Sequence, residues 1–98
     1  MVEGESYTIP CGTTVDADVW WLFKPSHNSE ISWYVYYQGR IHRPFNTRFT
    51  LNTSVPGLYG LCISDVQLND AGYYTCIDDR GEGHRHIHKL IVQGKTVL

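Results

Sequence analysis

The sequence predicts an all-β domain, a sandwich or barrel of short strands. Three observations predict it. No stretch sustains a helical period for three turns, short apolar or alternating runs recur between turn-forming clusters, and seven or more such runs fit within 98 residues.

Each element follows from its residues. Positions 6–11 alternate Tyr7, Ile9 and Cys11 against Ser6, Thr8 and Pro10, the two-residue period of a half-buried strand. Positions 19–23 form a second run, and the polar stretch Lys24-Pro25-Ser26-His27-Asn28-Ser29 behind it marks the turn of a hairpin. Positions 31–38 make a strand dense in aromatic rings (Trp33, Tyr34, Tyr36, Tyr37), closed by Gly39. Runs at 48–51, 59–64, 73–78 and 87–93 complete the set, with Pro56-Gly57 and Arg80-Gly81-Glu82-Gly83 marking two of the turns. There is no internal repeat and no low-complexity segment.

Composition narrows the class of partner. A charged fraction of 18% with a formal net charge of -2 forms no field that would gather phosphate backbones, so nucleic acid is not an expected partner. Aromatic residues reach 13%, including 7 Tyr and 3 Trp, which favours broad, semi-polar contact surfaces and hence recognition. No apolar run approaches the ~18 residues of a membrane span, and no cleavable signal pattern precedes Glu3. Membrane attachment would come only through other segments. Met1 reads as a start placed on a trimmed ectodomain, with one domain over 1–93 and a linker or following segment over 94–98.

The strongest motif is Asp70-x-Gly72-x-Tyr74-x-Cys76, preceded by Leu61-x-Ile63-x-x-Val66. With Gly4-Glu5-Ser6-x-Thr8-Ile9-x-Cys11 and Arg48 placed twenty-two positions before Asp70, it resembles the V-set branch of the immunoglobulin superfamily over roughly 3–93. The resemblance implies an immunoglobulin V-type β-sandwich, two antiparallel sheets with Greek-key topology. It implies a Cys11–Cys76 disulfide between the sheets, a Tyr74 hydroxyl tied back to the corner's backbone, and an Arg48–Asp70 pair closing the bottom of the sandwich. A bridge closing about 65 residues contributes ~4 kcal/mol by chain entropy. It also sets an oxidising compartment, so an extracellular, cell-surface or secreted protein is expected.

Trp20, Trp21 and Trp33 compete for the place against the disulfide. Trp20-Trp21-Leu22-Phe23-Lys24-Pro25 looks like the family's third strand running into its Pro-containing turn, nine positions after Cys11. On that basis Trp20 is expected in the core with Leu22 beside it, and the two-residue period sends Trp21 and Phe23 outward. Choosing Trp33 would leave only fifteen positions to Arg48, too few for the two extra strands of a V domain. A constant-type or intermediate-type domain is the less favoured alternative.

The resemblance places recognition on the end loops or on the exposed face of the sheet built from the third, fourth, sixth and seventh strands. The assumed register puts Trp21, Phe23, Tyr73, Thr75 and Ile77 on that face, with Lys89, Ile91 and Ile87 from the last strand. Trp33 or Tyr34, and Tyr36 or Tyr37, should add to it. A contiguous patch of Trp, Phe, Ile and Tyr marks an interface. The expected function is therefore a recognition module of an immune or adhesion receptor, binding a protein, another immunoglobulin-type domain or itself as a homodimer. The alternative is a lectin-like or lipid-recognising module that takes a small ligand in its end loops. Antigen receptors of the family carry Phe-Gly-x-Gly after the last loop, whereas this chain has Arg85-His86-Ile87-His88, which argues against a conventional rearranged chain. Sialic-acid-binding members use an arginine on the sixth strand, and Tyr73-Tyr74-Thr75-Cys76-Ile77 offers none.

The remaining chemistry is sparse. His84-x-His86-x-His88 has strand spacing and is the one metal candidate, but no carboxylate or thiolate is fixed beside it by sequence, so no metal or cofactor is expected. Cys62 is the odd thiol, outward by alternation with Leu61 and Ile63; it bridges two chains, pairs with a neighbouring domain, or is a sheltered free thiol. No motif supplies a base to activate it, so no enzyme is expected. Asn52-Thr53-Ser54 is a glycosylation sequon in a predicted loop, which would make the protein a glycoprotein.

Overall fold

The alternating runs resolve into eight strands among the described residues: β1 (Tyr7–Ile9), β2 (Trp20–Lys24), β3 (Trp33–Tyr37), β4 (Arg40–Ile41), β5 (Phe49–Asn52), β6 (Gly60–Ile63), β7 (Gly72–Ile77) and β8 (Arg85–Leu90). The structure, a computed structural model, describes residues 1–13, 17–54 and 58–94; the expected Pro56-Gly57 turn and positions 95–98 of the expected linker lie outside them. All strand pairs are antiparallel, in one sheet ordered β1-β6-β5 and another ordered β4-β3-β2-β7-β8. This is the V-type sandwich, with β3 and β4 as the strands added beside β2. The N-terminal segment joins the larger sheet: Val2 bridges Gln93 in parallel, and the Glu3 N–H donates to the Gln93 carbonyl at 2.8 Å.

Strand β4 lies directly beyond Gly39, the residue expected to close the aromatic strand. Gln38 and Gly39 both take positive φ, 53° and 84°, so Tyr37 pairs with Arg40 across a two-residue turn whose twist matches the strands it joins.

Cys11 and Cys76 form the inter-sheet disulfide with Cα atoms 6.3 Å apart. Around it Ile9, Val19, Trp21, Val35, Leu61, Ile63 and Tyr74 are buried to 2% exposure or less. Below it Asp70 organises the corner between β6 and β7. Its two carboxylate oxygens accept both Arg48 Nη groups at 2.7 Å, one also accepts the Gln67 N–H at 2.8 Å, and its carbonyl accepts the Tyr74 hydroxyl at 2.6 Å. Gly72, the next residue but one, has φ +150°, and a Cβ there would press on the Lys24 carbonyl and the Phe23 ring. The family's corner glycine is thus a packing requirement in this chain.

The register of β2 differs from the expectation by one residue. Trp21 pairs with Cys76 and Phe23 with Tyr74, which turns both rings into the core; Trp21 is 0% exposed and its indole N–H donates to the Tyr59 carbonyl at 2.9 Å. Trp20 and Leu22 lie opposite Ile77 and Thr75 on the outer face, half-buried, so neither leans on the disulfide as expected. The physical reason is visible in the strand itself. Lys24 shares the parity of Trp20 and Leu22, so the expected register would have aimed an ammonium group into the core, while the observed one gives it to solvent.

Candidate interaction surface on the five-stranded sheet

The outer face of the larger sheet is set by the pairing of its strands. From β2 it receives Trp20, Leu22 and Lys24; from β7, their partners Ile77, Thr75 and Tyr73; from β8, the next partners Arg85, Ile87 and Lys89. A β-bulge decides what β3 contributes. Leu22 pairs with Tyr34 but its neighbour Trp21 pairs with Tyr36, so Val35 is an extra residue on β3. Val35 and Tyr36 both turn inward and are buried, while Tyr34 and Tyr37 both turn outward.

The result is a three-ring cluster. Tyr34 stacks on Tyr37 with centroids 4.4 Å apart, and the Trp20 ring meets Tyr37 edge-on at 4.9 Å and Tyr34 at 5.8 Å. Such pairs hold their geometry and present apolar rings with polar rims. Trp20 is backed by the turn Asp79–Gly81: the Arg80 N–H donates to the Asp18 carbonyl at 2.7 Å, and Gly81 lies so close to the indole that a Cβ would overlap it. Across the sheet Ile87 is 65% exposed, and the Lys89 ammonium sits 5.9 Å from the Tyr73 ring centroid.

The residues expected on this face are therefore sorted by the structure. Tyr34, Thr75, Ile87 and Lys89 lie on it; Ile77 lies on it but is buried between Trp20 and Arg85. Trp21, Phe23 and Tyr36 do not, because all three face the core, and the Tyr36 hydroxyl donates to Asp18 at 2.9 Å. Burial and the Asp18 carboxylate push the Tyr36 phenol up to about 12. Trp33 is 44% exposed but pairs with Phe23, so it belongs to the inward side at the open end of the sandwich. Tyr73, also expected on the face, lies on it, and of Tyr36 and Tyr37 it is Tyr37 that does. Trp20 and Leu22 were not assigned to the face by the sequence, and the solvent parity of Lys24 was the signal that would have found that pair.

The histidines diverge. His84 is exposed, His86 faces inward with Nε2 3.5 Å from a buried Asp78 carboxylate oxygen, and His88 tilts against Trp21 at 6.3 Å. Burial first, and His86 second, lower the His88 pKa. Among the described residues, no three His, Cys, Asp or Glu side chains are grouped to hold a metal ion. The other carboxylate oxygen of Asp78 accepts the His84 N–H at 2.6 Å, which fixes the return of the loop into β8. Cys62 lies on the outer face of the smaller sheet, half-buried, with its sulfur 3.2 Å from the Thr8 hydroxyl.

Comparison with known proteins agrees with this architecture. The chain is similar to the first immunoglobulin domain of the mouse polymeric immunoglobulin receptor (TM-score 0.78, 21% identity, 99% of this chain and 89% of that one). It is also similar to the first immunoglobulin domain of ZIG-8, solved as a homodimer (TM-score 0.77, 14% identity, 97% and 77%). A third similar structure is the extracellular domain of the voltage-gated sodium channel beta4 subunit, solved as parallel homodimers (TM-score 0.71, 20% identity, 97% and 88%). At these identities the likeness is one of fold. No curated protein matches the sequence. The immunoglobulin V-set domain model matches residues 1–93, nearly the whole chain, and the chain belongs to that family.

Proposed function

We propose that this domain is an extracellular, non-enzymatic recognition module of a receptor or adhesion protein, and that it binds a V-type domain through the outer face of the five-stranded sheet. The observation that carries the reading is the Trp20–Tyr34–Tyr37 cluster, continued by Leu22 and Ile87 across the sheet. Rigid aromatic rings lose little conformational entropy on contact, and clusters of them recur at the centres of protein interfaces. The inter-sheet disulfide suits an oxidising compartment. ZIG-8 and the beta4 subunit, two proteins of this fold, are described as homodimers. The loop over 78–84 carries charges and glycines without a large apolar tip, which gives a small apolar ligand nothing to hold at that end.

Asn52 fits the same reading as a glycan acceptor. It is exposed, and it shares the outer face of the smaller sheet with Thr50 and Cys62, so a glycan there leaves the proposed binding face open. Secreted protein should lose mass on enzymatic removal of N-glycans and should carry none as Ser54→Ala.

The test of the binding face uses exposed residues only. Tyr34→Ser and Ile87→Ser should leave the melting temperature within a few degrees and weaken association with candidate V domains, measured by titration against them. Association unchanged by both substitutions, in a folded protein, would place the contact elsewhere.

A further inference from the structure

The proposed binding face has a charge pattern that the net charge of the chain conceals. Every charged side chain that the strand pairings place on it is cationic: Lys24 opposite Tyr73, Lys89 on the other side of Tyr73, Arg85 opposite Ile77, and Arg40 opposite Tyr37. These are four of the 8 Lys and Arg in a chain whose 10 Asp and Glu leave it at a net charge of -2. Among the described residues, none of those carboxylates stands on a strand of the larger sheet. They stand in loops instead: Asp18, Asp79 and Glu82 at the Trp20 end, where the Asp18 carboxylate accepts the Tyr36 hydroxyl, and Glu30 in the connection between β2 and β3. The apolar centre of the face is therefore bordered by positive charge along both flanks.

Resting on the reading that this face binds a V-type domain, we propose that its partner is a different chain, one with carboxylates around an apolar sheet face, and not a second copy of this domain. Two copies set face to face would bring ammonium and guanidinium groups of one flank against those of the other. Like charges opposed across an interface are strongly disfavoured, whereas opposite charges speed encounter and fix register. Of these four cations Lys89 is the one set over an aromatic ring, that of Tyr73, while Arg85 and Arg40 are exposed and Lys24 is half-buried on the same face, where a partner can meet them.

The domain itself supplies the probe. A charge-reversed copy, Lys24→Glu with Arg85→Glu and Lys89→Glu, keeps the apolar centre and carries the carboxylates that the partner is inferred to have. All three positions are solvent-facing, and circular dichroism checks that the copy folds. The unmodified domain alone and the reversed copy alone should both sediment as monomers at low salt. Their equimolar mixture should associate at least tenfold more tightly than either alone, and that gain should vanish at high salt. Self-association of the unmodified domain as tight as that of the mixture would overturn the inference and leave the binding face standing. No association in any of the three samples would overturn both. Retention of the unmodified domain on a sulfated polysaccharide, with no association in the mixture, would overturn the inference in favour of a polyanionic glycan.

Discussion

Two adjacent tryptophans with opposite roles give a direct test of the strand register. Trp21 is fully buried against the disulfide with its N–H on the Tyr59 carbonyl, whereas Trp20 is half-buried on the outer face. A buried indole removes roughly 200 Å² of surface from water, which at ~25 cal/mol per Å² is about 5 kcal/mol. Trp21→Ala would thus remove most of the stability of a domain whose total is ~5–15 kcal/mol. Trp21→Phe is the measurable form: it keeps most of the ring, loses a hydrogen bond contributing ~1 kcal/mol, and leaves a small cavity, for a total of ~2 kcal/mol. Trp20→Phe keeps its outer-face ring contacts and breaks no core hydrogen bond, so it should cost under ~1 kcal/mol. Urea unfolding followed by far-ultraviolet circular dichroism reads both, with an unchanged m-value as the sign that only stability has moved. Equal losses, or a larger loss at Trp20, would refute the register and with it the composition of the binding face.

Other predictions follow from the corner and the buried titratable groups. Asp70→Asn should cost ~2–3 kcal/mol, below the full figure for a severed buried pair because the Arg48 side chain is 24% exposed; a cycle with Arg48→Met should show the two changes to be coupled. Tyr36 has a folded-state pKa raised from 10.0 to about 12, so the stability it contributes is complete below pH 10 and is lost as the pH rises through about 12; Tyr36→Phe should remove that alkaline loss in thermal melts. His88 titrates below its ordinary value of 6.5, so its contribution is complete above that pH and is lost as the pH falls through its folded-state pKa; His88→Gln should flatten stability on the acid side. Replacing Cys11 and Cys76 together by Ala should cost about 4 kcal/mol, read as a lowered urea midpoint.

The parts of the fold that were legible in the sequence are those in which residue type and spacing together admit one solution. Asp70, Gly72, Tyr74 and Cys76 are such a set: each occupies the corner for a different reason, and no other segment offers the same four types in that order. The face of β2 was not legible from alternation alone, because Trp20-Trp21-Leu22-Phe23 is apolar in both parities and the period fixes alternation without fixing phase. Lys24 breaks that symmetry, and it does so only when the strand is carried to its last residue. β4 was hidden for a different reason. With two residues, Arg40 and Ile41, it is too short to show a period, and its existence rests on the turn at Gln38-Gly39.

Val35 shows why strict alternation cannot deliver a binding face even when every strand is found. An unbulged β3 in the register of Tyr34 would place Tyr36 outward and Val35 and Tyr37 inward. The extra residue instead lets Val35 and Tyr36 fill the core in succession, with Tyr36 pairing with Trp21 and reaching Asp18 through its hydroxyl. It also carries Tyr37 to the outer face, where it stacks on Tyr34 and receives the edge of Trp20. One insertion thus enlarges the core and assembles the aromatic cluster at the same time. The two effects are mechanically linked, since restoring alternation would withdraw Tyr36 from Trp21 and remove Tyr37 from the cluster together. The bulge therefore ties the packing of the domain to the surface by which it is proposed to recognise its partner.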